Sequence, residues 1–176
     1  GFDWHTEIVP FMERLGEYAL GAVTGKEGRV GYVNFLVNVT PDCDCAPWSD
    51  APIVPDIGFL ASTDPIALDK ACLDLVNAQS ACPDCKLEYG QASGEDKFTA
   101  LWKWTRGDMT FVHGEAVGLG TPRYELIKIY PPPPARGSGG HHAPRQVQGG
   151  ALAGPGAAPR FQGILPSLFP HIRMVG

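Results

Sequence analysis

Four cysteines form two closely spaced pairs whose residue types and spacing could do chemistry. Cys43 and Cys45 stand one residue apart in the stretch TPDCDC, and Cys82 and Cys85 form the motif CPDC. The CxxC spacing suits metal ligation or dithiol redox chemistry. Together the pairs supply four thiolates, a set that suits zinc or an iron–sulfur cluster. We therefore predict all four as metal ligands; the alternative is two unrelated pairs of ordinary thiols.

The backbone around the first pair decides whether its two thiols can meet. In an extended strand, Cys43 and Cys45 would point to opposite faces, whereas in a turn they can converge on one ion. Pro41 ends the preceding strand. Pro47, two residues after Cys45, has no backbone N–H and cannot donate a hydrogen bond to a neighbouring strand. The aspartates that flank Cys43 favour turns through bonds to nearby backbone. The sequence therefore predicts a turn with both sulfur atoms on the same side.

Other polar candidates have structural explanations. Cys72 shares an apolar helix face with Leu75 and Val76 and is predicted to be a small core residue. Asp64 is expected to cap a helix N-terminus, and the neighbouring aspartates fit no EF-hand loop. His113 is predicted to be a surface or satisfied histidine. The sequence contains no P-loop, no GxSxG and no HExxH, so it indicates no catalytic residue.

Composition limits the partners and the compartment. The net charge of −5 gives no reason to expect nucleic acid, and no stretch is long or apolar enough to span a membrane. Five cysteines, an odd number, disfavour a fully paired disulfide framework. Metal-binding thiols fit a reducing interior, which favours the cytoplasm. The chain begins Gly-Phe-Asp-Trp without an initiator methionine, so it is expected to be a fragment.

The alternation of helices and strands predicts an α/β fold, with a partial sheet and helices packed on it. Apolar residues at helical spacing predict a helix over 5–23. Strand patterns cover 29–40, 56–62 and 123–130, the third being the last strand. A helix capped by Asp64 follows the second strand directly, which resembles half of a βαβ unit.

Strand 29–40 has two chemically different faces. Its valines at 33, 37 and 39 share one face with Phe35. Asn34 and Asn38 lie off that face, and buried strand asparagines are usually satisfied by backbone groups. We therefore expect both amides to bond to the backbone, with a functional role as the alternative.

The composition changes at residue 130. Residues 1–130 are predicted to be the C-terminal portion of an α/β domain. Residues 131–176 open with four prolines, and glycine and proline together fill 18 of these 46 positions. Such a segment buries too little apolar surface to offset its chain entropy. It is predicted to be a disordered or loosely packed Pro/Gly-rich tail, whose apolar end, FQGILPSLFPHIRMV, could dock elsewhere.

Several blocks, in order, resemble one known family. ERLGEYA, YVNFLVNVTPDCDC, SDAPIVPDIGFLASTDPIALDKACLDLVN and GEAVGLGTPRYELIKI are similar to the C-terminal part of the domain of unknown function 362 family, in its branch of uncharacterised iron–sulfur centre proteins. The resemblance covers roughly residues 10–130. It implies an α/β domain interrupted by a ferredoxin-like module, whose cysteine runs would lie upstream of Gly1.

The resemblance also bears on the function. The family pattern carries Cys43 and Cys45, whereas Cys82 and Cys85 rest on their spacing alone. The expected function is a fragment of an iron–sulfur protein of redox or electron-transfer type, which could act with a redox partner protein. In that case the upstream module could itself bind the cluster. The alternative is a non-catalytic binding domain with a structural zinc site. No reaction or substrate is predicted.

Overall fold

The computed structural model describes residues 7–43, 48 and 50–129, and the backbone of residues 171–175. All of these belong to one compact unit, which comprises Gly1–Pro131 and Phe169–Gly176. The predicted tail lies outside the described residues except for its 171–175 segment. No helix in the described part of the chain is long and apolar enough to cross a membrane.

Four helices and four strands make up the described chain. The helices are α1 (Ile8–Val23), α2 (Pro65–Asn77), α3 (Lys97–Leu101) and α4 (Gly107–Ala116). The strands are β1 (Tyr32–Leu36), β2 (Gly58–Ser62), β3 (Glu125–Ile129) and β4 (His171–Val175). The predicted α/β class is confirmed, and α2 contacts β1 and β2 of the sheet.

The strands form one mixed sheet in the order β1-β2-β4-β3. β2 is antiparallel to both neighbours, and Phe35 of β1 lies opposite Phe59 of β2. β4 is parallel to β3. The predicted strand–turn–helix of β2 and α2 is present, but β2 has no parallel neighbour, so it does not extend to a βαβ unit. β3 is not the last strand, because β4 follows it and lies between it and β2.

The two faces of β1 differ in exposure. Val33 and Phe35 are 56% and 64% exposed, whereas Leu36 is buried on the opposite face. The strand ends at Leu36, and Asn38 has a φ of 52°, which interrupts the alternation that we expected to reach Val39. The valine-rich face is therefore the outer face of this strand, and the asparagine-bearing face packs toward α2.

The hydrophobic core lies between α2, the first two strands and the loops that flank them. The loop before β2 contributes Ile53 and Val54, which are 1% and 0% exposed. α1 contributes less than its spacing predicts, because Leu15 and Tyr18 are 45% and 83% exposed. The buried residues of the central cluster are Leu36, Ile53, Val54, Leu60, Ala67, Leu68, Ala71, Cys72, Val76 and Leu87.

Candidate functional site: the two cysteine loops

The first cysteine loop begins shortly after β1. Thr40 donates its hydroxyl to the backbone oxygen of Asp42 at 3.0 Å, a local bond typical of a turn. Cys43 follows and is exposed. Cys45 lies outside the described residues. The predicted convergence of the two sulfur atoms on one side therefore stays a prediction.

The second pair lies in the loop between α2 and α3. Cys82 and Cys85 are both half-buried, and neither forms a disulfide. The backbone N–H of Cys82 donates to the oxygen of Ile53 at 2.8 Å, and Cys85 packs against the hydrophobic core. Asp84 between them has a φ of 58°, which turns the chain sharply inside the motif. The CxxC is thus anchored to the folded body.

An ion pair joins the two cysteine loops. Lys86 Nζ lies 3.3 Å from Asp42 Oδ2, so the residue after Cys85 contacts the residue before Cys43. Trp102 adds a second link, because its Nε1–H donates to the Pro41 oxygen at 3.1 Å and its ring lies 5.5 Å from Lys86 Nζ. The two loops are therefore neighbours in the fold, although the partners of the ion pair lie 44 positions apart in the sequence.

The described residues do not by themselves complete a metal site. No group of three or more His, Cys, Asp or Glu side chains among them lies close enough together to hold an ion. Cys43, Cys82 and Cys85 belong to these residues, whereas Cys45 does not. Thiolate sulfur is nevertheless a donor that suits zinc and iron–sulfur clusters. The shared site of all four cysteines stays a prediction.

Cys72 lies in the hydrophobic core on α2, as predicted. It is 8% exposed, and Asn34 Nδ2 lies 3.4 Å from its sulfur. Burial raises the pKa of the Cys72 thiol, the bond from Asn34 opposes this rise, and the negative charge of Asp69 adds to it. Since the thiolate is the reactive form, this cysteine is poorly suited to nucleophilic chemistry.

Asn34 bonds to side chains rather than to the backbone, which corrects our expectation. Its Nδ2 also donates to Asp69 Oδ1 at 2.8 Å, across from β1 to α2. Asp69 remains exposed to solvent, yet desolvation by the surrounding protein raises its carboxyl pKa, and the bond from Asn34 partly offsets this. A polar position on the inner face of a strand was the signal in the sequence, but its partner was not identifiable.

Two further sequence predictions concern residues near α2. Asp64 caps α2 as predicted, since its Oδ1 accepts from the N–H of Ala67 at 2.9 Å. It also accepts from the N–H of Thr121 at 2.9 Å, which ties α2 to the segment before β3. His113 is a satisfied histidine, because its Nε2 lies 3.2 Å from Glu17 Oε1.

A buried lysine was missed by the sequence analysis. Lys97 is 0% exposed at the start of α3, and its Nζ donates to three backbone oxygens at 3.0, 3.1 and 3.2 Å. Burial lowers the pKa of Lys97, although the nearby acidic residues Glu95 and Asp96 oppose this. Nothing in the local sequence separates this lysine from an exposed one. Its bond to the Asn77 oxygen ties the start of α3 to the end of α2, which gives it a structural role.

Comparison with known families gave a match for the first part of the chain. The model of a family described as Domain of unknown function (DUF362) matches residues 2–74. Over these residues, the chain is similar to the DUF362 family. The match covers α1, β1, β2 and most of α2, and it includes both cysteines of the CxC. The CxxC lies beyond the match. Comparisons with curated proteins and with solved structures gave no match.

Proposed function

We propose that the chain is part of an iron–sulfur protein of redox or electron-transfer type, and that Cys43, Cys45, Cys82 and Cys85 serve as its metal-binding thiols. The observation that carries this proposal is the ion pair between Lys86 and Asp42, because it brings the flanks of the two cysteine pairs together. The DUF362 match gives the family of the CxC segment, and the iron–sulfur branch is part of the proposal.

Each loop would contribute differently to such a site. The CxxC is held by the Cys82–Ile53 backbone bond and by packing of Cys85 on the core, so it supplies the fixed half. Cys43 is exposed and supplies the half that can approach a metal from solvent. A bound cluster would supply one-electron transfer. A reducing compartment such as the cytoplasm would keep these thiols available, and a redox partner protein would exchange the electron.

A structural zinc site in a non-catalytic binding domain is the second candidate. The observation that favours it is the packing of Cys85 against the hydrophobic core, which suits a metal that fastens loops. Zinc takes the same four thiolates in a closed tetrahedral site. The two candidates differ in the metal and in the presence of sulfide.

Anaerobic purification and reconstitution of this chain, followed by metal and acid-labile sulfide analysis, tests the proposal. We expect iron with sulfide in the unmodified chain, and loss of both in Cys43→Ser and in Cys85→Ser. Cys72→Ala is the matched control and should retain the metal, because Cys72 is a core residue of α2 and belongs to neither pair. Zinc without sulfide would support the second candidate. A chain that binds neither metal would overturn both.

A further inference from the structure

The four helices line a partly open cavity to which the cysteines of the two loops do not contribute. Its volume is about 660 Å³, within the range of small-molecule sites in proteins. Side chains from all four helices and from the β1 region line it. Seven of the lining residues are apolar: Met12, Leu36, Val39, Leu73, Val76, Phe98 and Phe111.

Not every charged residue that lines the cavity has a partner of opposite charge. Arg106 is paired with Asp108 at 3.0 Å, so this pair adds no net charge. Asp96 caps α3 and accepts from two backbone N–H groups of that helix. Asp69 accepts a hydrogen bond from the neutral Asn34, and it has no cationic partner within the described ranges. The cavity therefore favours a cation and disfavours an anion.

A further polar atom in the lining lacks a partner. Thr110 lines the cavity, and its Oγ1 is buried without a hydrogen bond to any of the residues that the structure describes. A buried hydroxyl without a partner costs free energy, which a ligand with a polar group could recover. An apolar wall with a few polar groups is the usual composition of a site for a small organic molecule.

We propose that this cavity binds a small amphiphilic cation, a molecule with an aromatic body and one primary amine. The aromatic body contacts the apolar wall formed by side chains such as Val76 and Phe111. The ammonium group donates to Asp69, whose Oδ1 is oriented by Asn34. This site is independent of the proposed metal function, because none of the four cysteines of the two loops lines the cavity.

Three indole compounds of similar shape test the charge preference. Tryptamine carries an amine, tryptophol a hydroxyl and indoleacetate a carboxylate. We expect the unmodified full chain to bind tryptamine about tenfold more tightly than tryptophol, and indoleacetate most weakly, by calorimetry or ligand-observed NMR. Equal or tighter binding of indoleacetate, or no binding of tryptamine, would overturn the proposal.

A matched pair of variants tests the role of Asp69. Asp69→Asn retains an acceptor for Asn34 but removes the charge, so tryptamine should bind about tenfold more weakly while tryptophol is unaffected. Asp50→Asn removes the same charge from an exposed residue outside the cavity and should change neither affinity. Unchanged tryptamine binding in Asp69→Asn would overturn the assignment.

Chemical-shift mapping of tryptamine on the unmodified chain needs no variant. The largest changes should fall on cavity residues such as Leu73 and Thr110. The exposed apolar face of β1, with Val33 and Phe35, is the competing location. Changes confined to that face would show adventitious binding to an apolar surface and would overturn the proposal.

Discussion

Lys86 Nζ lies 3.3 Å from Asp42 Oδ2, and this contact joins the two loops that carry the CxC and the CxxC. The Lys86 side chain is 46% exposed, and exposed ion pairs contribute little to stability. In metal-free protein, a double-mutant cycle with Lys86→Met and Asp42→Asn should therefore give a coupling free energy below about 1 kcal/mol. Urea unfolding of the four proteins measures it.

The same variants distinguish the stability contributed by the ion pair from the stability contributed by a metal that cross-links the two loops. If thiolates from both loops bind one ion, metal should raise the melting temperature of the unmodified chain and of Lys86→Met to a similar extent. A stabilisation by metal that disappears in Lys86→Met would contradict this expectation, since the ion pair itself would then be required for assembly.

Two helical glycines form a matched pair for testing how closely the helices pack. Gly114 of α4 is buried, and a Cβ at this position would overlap Ile66 Cδ1 of α2. Gly114→Ala should therefore lower the free energy of unfolding by about 2 kcal/mol through overpacking.

The control is Gly16→Ala in α1. A Cβ at Gly16 would meet only His113 Cδ2 at 3.5 Å, an ordinary contact. This variant should be neutral or more stable by up to about 1 kcal/mol, because alanine favours the helix. Equal effects of the two substitutions in urea unfolding would show that α4 can move away from α2.

Local features of this fold could be predicted from sequence, whereas long-range contacts could not. The Asp64 cap and Pro65 specify the start of α2 within a few residues, and the structure has that start. The pairing of β2 with β4 joins segments that are more than a hundred residues apart, and no local pattern encodes it. The side-chain partners of Asn34 lie 35 and 38 residues away, for the same reason.

The candidate site likewise has local features that the sequence shows and long-range contacts that it does not. The types and spacing of the four cysteines are visible in the sequence. The proximity of the two loops is visible in the contact between Lys86 and Asp42, but in the sequence these two residues cannot be told from ordinary surface charges. The burial of Lys97 is also decided by tertiary structure, since three carbonyl groups from separate positions surround its Nζ.

Asp64 should matter more than an ordinary helix cap. It accepts from Ala67 of its own helix and from Thr121, each at 2.9 Å. Asp64→Ala removes both acceptors and should cost about 2 kcal/mol or more in the free energy of unfolding. Asp64→Asn retains one acceptor oxygen and should cost less. If the two variants are equally stable in urea unfolding, the acceptor oxygen that asparagine retains contributes nothing.

Lys97 should be the lysine whose loss is most damaging to the body. Lys97→Met retains most of the side-chain volume but leaves the carbonyl groups of Asn77, Ala92 and Glu95 without this donor. We expect a loss of about 3 kcal/mol in the free energy of unfolding. Lys103→Met is the control, because Lys103 is exposed and its Nζ lies 6.0 Å from the Tyr89 ring. It should be nearly neutral.

The pH dependence of this loss provides a further test. Burial lowers the pKa of Lys97 below its ordinary value of 10.5, so the unfolded chain binds more protons than the folded chain between these two pKa values. The stability contributed through Lys97 therefore rises with pH across that window. The stability difference between the unmodified chain and Lys97→Met should increase as the pH is raised toward 10.5. Because both proteins share all other titrating groups, the comparison isolates Lys97. A difference that shrinks over the alkaline range would show that the charged ammonium is the form that the folded chain prefers.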